Sequence, residues 1–216
     1  MMSRNPRTTR FRWIAAALSL VVATAFVTTK VVSDDKNPPK GKGQEMSPEM
    51  QKMFEQCQKL ATPGPEHRRL ASSAGAWNTV SKFWMDPDGP PSEGKGVSYF
   101  KVLLGGRWVM QEHEGSSDNG PFSGFGLTGY DNFKKKYITT WTDSMGTGLM
   151  VSEGTADATG KIITYTGQYD CPMTGKTKTA RSVYRILSDS KHILEMYDTT
   201  PEGKEYKNLE VVYTRK

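Results

Sequence analysis

Cysteine is nearly absent from this chain: 216 residues hold two, Cys57 and Cys171. That excludes a disulfide-dense scaffold, and with no CxxC and no Cys/His ligand spacing it excludes the usual zinc sites. Two cysteines allow one pairing, and the sequence leaves open whether they meet. Histidine is almost as scarce, with His67, His113 and His192 far apart. No serine sits in a G-x-S-x-G frame, which excludes a nucleophile elbow. The glycine-rich "FSGFGLTG" follows no βαβ pattern, which excludes a dinucleotide loop. Charge of one sign is also missing once the N-terminus is set aside. The chain has 29 Lys+Arg against 23 Asp+Glu, and residues 1–25 hold four Arg and no acid, which leaves 25 against 23. A net +2 is not the basic bias that binding a phosphate backbone requires, so no nucleic-acid partner is expected.

The N-terminus has the form of an export signal. Arg4, Arg7, Arg10 and Arg12 precede an apolar run from Trp13 to Val27, and Ala23-Thr24-Ala25 is a cleavage site of the A-x-A kind. The expected product is an exported protein, periplasmic or extracellular. The alternative is an anchor formed by residues 13–27, the one route by which a membrane partner is expected. No cysteine follows the run, which argues against a lipoprotein. Residues 26–46 are rich in Pro, Lys, Gly and acid, as a flexible tether is. Residues 47–75 are expected to be helical. Ser47 is a good N-cap with Pro48 at the first helical position, and Met50, Met53, Phe54 and Cys57 fall on one face, expected to pack.

From residue 76 to the end the pattern changes. Runs of Val, Ile, Tyr, Trp, Phe and Thr alternate with turn sequences such as "DPDGPP", "SSDNGP", "ADATG" and "PEG". About ten strands with short connections imply antiparallel neighbours. The expected fold is mainly β: an up-and-down barrel, closed because closure removes two exposed edges, with a two-sheet sandwich as the alternative.

Candidate site residues follow from the period of two along these strands. In "KYITTWTD", Tyr137, Thr139, Trp141 and Asp143 share a face, as the wall of a lumen for an amphiphilic ligand would, or as a plain core would. In "RWVMQEHE", Arg107, Val109, Gln111 and His113 share a face; in "HILEMYD", Glu195 and Tyr197 share one. These mixed faces point to an interior with partly wet polar groups. The candidate ligand-binding set is Arg107, His113, Tyr137, Trp141, Asp143, Glu195 and Tyr197, with Arg107 expected to pair with Asp143 or Glu195. No catalytic or metal residue and no cofactor is assigned. Three function classes remain: a barrel binding a small hydrophobic or amphiphilic molecule, an enzyme using Asp143 or Glu195 near Tyr197 or Arg107, and a structural domain with a filled core.

Several stretches together, "LLGGRWVMQEHEG", "GYDNFKKKYITTWTDSMGT", "EGTADATGK" and "ILEMYDTTPEGKEYKNLEVVYTR", resemble a bacterial family catalogued as domain of unknown function 1579, from about Glu66 to the C-terminus. The resemblance implies a lipocalin-like barrel and carries no activity. Barrels of that broad class hold fatty acids, small lipids or haem. None of the three histidines matches by motif the axial ligand of a haem barrel.

Overall fold

The computed structural model describes residues 46–118, 120–171 and 174–216. The expected signal and nearly all of the expected tether lie outside the described residues. Two helices come first, α1 (Pro48–Ala61) and α2 (Pro65–Ala71). Ten strands follow: β1 (Gly75–Phe83), β2 (Ser92–Leu103), β3 (Trp108–Ser117), β4 (Gly120–Asp131), β5 (Lys136–Asp143), β6 (Met150–Ala156), β7 (Ile162–Cys171), β8 (Lys176–Ser188), β9 (Lys191–Thr199) and β10 (Glu205–Arg215). Each is antiparallel to the next, and β1 pairs with β10 to close the barrel. The sandwich alternative is therefore excluded.

Register decides which side chains face the lumen. Trp77 lies opposite Ser98, Ser98 opposite His113, His113 opposite Gly124 and Gly124 opposite Asp143, so these five form one inward row across β1 to β5. The same counting sends Tyr165, Ser182 and Met196 inward from β7, β8 and β9.

One end of the barrel is packed and capped. Tyr137, Ile163 and Tyr165 form a buried cluster that Leu70 of α2 covers. Trp77, Val211 and Tyr213 form a second, with Phe100 and Leu194 against it. Each fully buried side chain contributes on the order of 1.5–3 kcal/mol of transfer free energy. Polar contacts fix the cap in place. Arg69 donates to the Tyr137 hydroxyl at 3.0 Å, and the Trp77 indole donates to the Ser73 carbonyl at 2.7 Å. Arg215 stacks 4.3 Å from the centre of the Trp77 ring and donates to the carbonyls of Ser72 and Ala74.

The first helix departs from expectation. Ser47 caps it as predicted, accepting from the Met50 amide at 3.3 Å. Its apolar row does not pack: α1 has no buried residue, and Met50, Met53 and Phe54 are all exposed. Asn132, in the β4–β5 turn, holds its C-terminal end by donating to the carbonyls of Leu60 and Thr62.

Candidate functional site

The lumen beyond the capped half carries the candidate site. Inward-facing Gln111, His113, Phe122, Thr128, Trp141, Asp143, Tyr169 and Met196 keep partial exposure, whereas inward residues beside α2 such as Tyr137 and Tyr165 are buried. Water therefore reaches the interior from the end away from the helices.

Strand β5 runs from the packed half to this mouth. Tyr137 is 1% exposed in the core, and Trp141 lies one turn of the pleat from the rim. The indole rests on a floor of glycine. A Cβ on Gly124 would stand 2.2 Å from Trp141 Cζ2, and one on Gly126 2.9 Å from Cε3. Any larger residue at either place would push the ring into the lumen. The indole Nε1 donates to Asp143 Oδ2 at 2.9 Å, and Asp143 Oδ1 accepts the Met145 amide at 3.0 Å.

Three strands further round, the wall carries a charged group. Lys178 and Asp198 form an ion pair of 2.5 Å with both side chains mostly shielded, and the Tyr169 hydroxyl donates to Asp198 at 3.0 Å. Burial works against ionisation of Asp198, but the hydrogen bonds from Lys178, Thr199 and Tyr169 outweigh it and hold the carboxyl below its usual range. Burial, then the bond to Asp198, pushes the Tyr169 hydroxyl up to about 12.

Deeper in, hydroxyls and amides bond one another. Ser98 Oγ lies 2.9 Å from His113 Nδ1, and Gln111 donates to both Ser98 Oγ (3.2 Å) and the Tyr213 hydroxyl (3.3 Å). Burial lowers the pKa of His113. Ser98 is wholly buried, so this Ser–His contact is part of the wall and out of reach as a nucleophile. His192 and Tyr184 form a second pair at 2.5 Å between Nδ1 and the hydroxyl.

Four of the seven residues expected in the site face the lumen: His113, Tyr137, Trp141 and Asp143. The other three do not join them. Arg107 is exposed at the capped end and donates to its neighbour Leu104's carbonyl. It lies six residues of strand from the level of His113, or about 20 Å, so it pairs with neither Asp143 nor Glu195. Glu195 and Tyr197 point outward: Glu195 bonds Arg185 at 2.9 Å and Lys207 at 3.5 Å, and Arg181 stacks 3.8 Å from the centre of the Tyr197 ring. The set Glu195, Tyr197 and Arg107 thus does not converge on Asp143. Cys57, exposed on α1, and Cys171, buried at the end of β7, are not bridged. Among the described residues no cluster of His, Cys, Asp and Glu could hold a metal ion, and no helix is long and apolar enough to cross a membrane.

The sequence reading missed Ser98, Tyr169, Lys178 and Asp198. Asp198 continues the His192, Leu194, Met196 face by the period of two, a signal that was there to be used. Lys178 and Tyr169 needed the register of β7 on β8. A concavity of about 630 Å³ also lies by the rim, lined by outward Tyr99, Glu112, Phe125 and Thr142 together with His113 and Asp143. It is open to solvent, and the convergent polar groups are on the lumen side.

A family model described as "Protein of unknown function (DUF1579)" matches residues 62–215. No curated protein matches the chain in sequence. Among solved structures, Rv2717c from M. tuberculosis is similar with a TM-score of 0.53 at 16% identity, covering 72% of this chain and 99% of that one. The S-type phycobiliprotein lyase CPES from Guillardia theta is similar with a TM-score of 0.51 at 14% identity, covering 71% of this chain and 98% of that one. At these identities the likeness is one of fold.

Proposed function

The chain belongs to the family described as protein of unknown function (DUF1579), and we propose that its half-open barrel binds a small amphiphilic molecule. The observation that carries this reading is the partial exposure of inward-facing Gln111, His113, Trp141 and Met196 in a barrel whose other half holds both buried clusters. A filled structural core would bury Gln111, His113, Trp141 and Met196 as it buries Tyr137 and Ile163. The lining suits a ligand with an apolar body and a polar end. Phe122, Trp141 and Met196 offer aromatic and thioether surface, and Asp143, Tyr169 and the Lys178–Asp198 pair offer hydrogen bonds near the mouth. The arginine-rich start and residues 13–27 support export as the setting.

Native mass spectrometry of freshly purified protein tests the reading. A non-covalent adduct lost on denaturation is the expected result. An adduct-free mass, with no change in tryptophan fluorescence on titration with alkyl carboxylates, alkylammonium salts and neutral detergents, would overturn it.

A further inference from the structure

The capped end of the barrel presents an apolar and basic face that the ligand reading does not use. Because β3 pairs with β4, the β2–β3 and β4–β5 turns are neighbours. Their tips are Leu104, 70% exposed, and Phe133, 79% exposed. Among the described residues, Leu104 (φ 50°) and Lys135 (φ 58°) are the two non-glycines with left-handed backbone. A leucine and a lysine therefore stand where glycine would fit without strain. The α1 helix, whose Met50, Met53 and Phe54 are 46–59% exposed, is tied to the same place through Asn132.

Charge separates the two ends. Between the strands at the capped end, the connections carry Arg107, Lys134, Lys135 and Lys161 against Asp157 and Asp189, and Glu153 of β6 pairs with both Lys134 and Lys136, which leaves that trio one positive charge. Those at the mouth carry Asp86, Asp88, Asp118 and Glu202 against Lys204. The mouth has exposed apolar side chains too, Met85, Met145 and Leu149, so apolar exposure alone does not choose an end, and the sign of the charge does. We infer that the capped end, through Leu104, Phe133 and the Lys134–Lys135 turn with α1 beside it, docks on an anionic lipid surface and leaves the acidic mouth facing away. Exposed aromatic and aliphatic tips set among lysines and arginines are the composition that interfacial binding uses. This contact is separate from any made by residues 13–27, and a ring of like charge would repel the mouth from the same surface.

The test uses the full chain with Cys57→Ser and an environment-sensitive fluorophore on a new cysteine, at Phe133→Cys in one sample and Met145→Cys in another. Vesicles of phosphatidylglycerol and phosphatidylcholine, and of phosphatidylcholine alone, are added. Expected is a blue shift at position 133 with the anionic vesicles only, none at 145, and a loss of apparent affinity of at least about tenfold at high salt or with Lys134→Gln/Lys135→Gln. A shift at 145 alone would reverse the orientation and overturn the inference. So would equal shifts with neutral vesicles, no shift at 133, or a shift without vesicles that grows with protein concentration, which would mark the face as a contact between two copies.

Discussion

His192 offers the sharpest test of the packed half. Its Nδ1 lies 2.5 Å from the Tyr184 hydroxyl, its ring lies 4.4 Å from that of Trp77, and it bonds the backbone at Ser188. With the hydroxyl donating to Nδ1 and the ring also bonding the backbone at Ser188, the neutral imidazole is satisfied, and a second proton would have to reverse the Tyr184 hydrogen bond and place a charge in a buried site. Burial, then the nearby Arg215, lowers its pKa to about 4, against which the backbone at Ser188 and the charge of Asp189 act weakly. The unfolded state, with an ordinary pKa of about 6.5, binds more protons between those values, so this group stabilises the fold above pH 6.5 and its contribution is lost as pH falls. A shift of about 2.5 units at 1.36 kcal/mol each sets a ceiling near 3 kcal/mol, of which about 2 kcal/mol is lost between pH 7 and pH 5. Urea denaturation across that range should show this loss in the parent and not in His192→Phe, which keeps a ring against Trp77. The variant is expected to start less stable, because it orphans the Tyr184 hydroxyl, but that offset does not depend on pH in this range. His113 and the carboxylates titrate equally in both proteins and cancel. Equal slopes in the two, or a His192 imidazole titrating near 6.5 by NMR, would refute the reasoning.

Trp141→Ala should weaken binding of any lumen ligand by at least about tenfold while costing less than the roughly 3–5 kcal/mol of a fully buried tryptophan, read by ligand titration beside urea melts; removing Lys134 to Lys136 should leave lumen binding unchanged. Gly124→Ala places a methyl 2.2 Å from the Trp141 ring, and should destabilise by about 1–3 kcal/mol and shift the indole emission. Thiol titration of the native protein should find one fast group, Cys57, and a second, Cys171, that reacts only on unfolding; a single slow phase for both would contradict the exposure of Cys57.

The barrel was legible because each of the ten strands is bounded by its own turn chemistry, and β5 shows why part of the site was legible too. Tyr137, Thr139, Trp141 and Asp143 alternate cleanly, and the sequence alone places them on one face. On β9 both faces mix polar and apolar groups, since Glu195 and Tyr197 are clothed on the outside by Arg185, Lys207 and Arg181 from other strands. Those partners depend on register, including the irregularity between Lys207 and Leu209 in β10, and no local pattern encodes it. Arg107 was misplaced because a residue at the start of a strand can serve the turn before it. The apolar row on α1 has the spacing of a packing face, and spacing says nothing of whether a partner is supplied.

The seam between the first and last strands has a consequence for how the molecule comes into being. Trp77 pairs with Arg215, and Arg215 reaches back to the carbonyls of Ser72 and Ala74 just before β1. Closure thus waits on β10, the strand that pairs with β1. A chain emerging from the ribosome can build β-hairpins in order, yet until β10 arrives it is an open sheet with β1 and β9 as bare edges. Its most vulnerable interval is the one before β10 pairs with β1, and removing that strand would make the interval permanent.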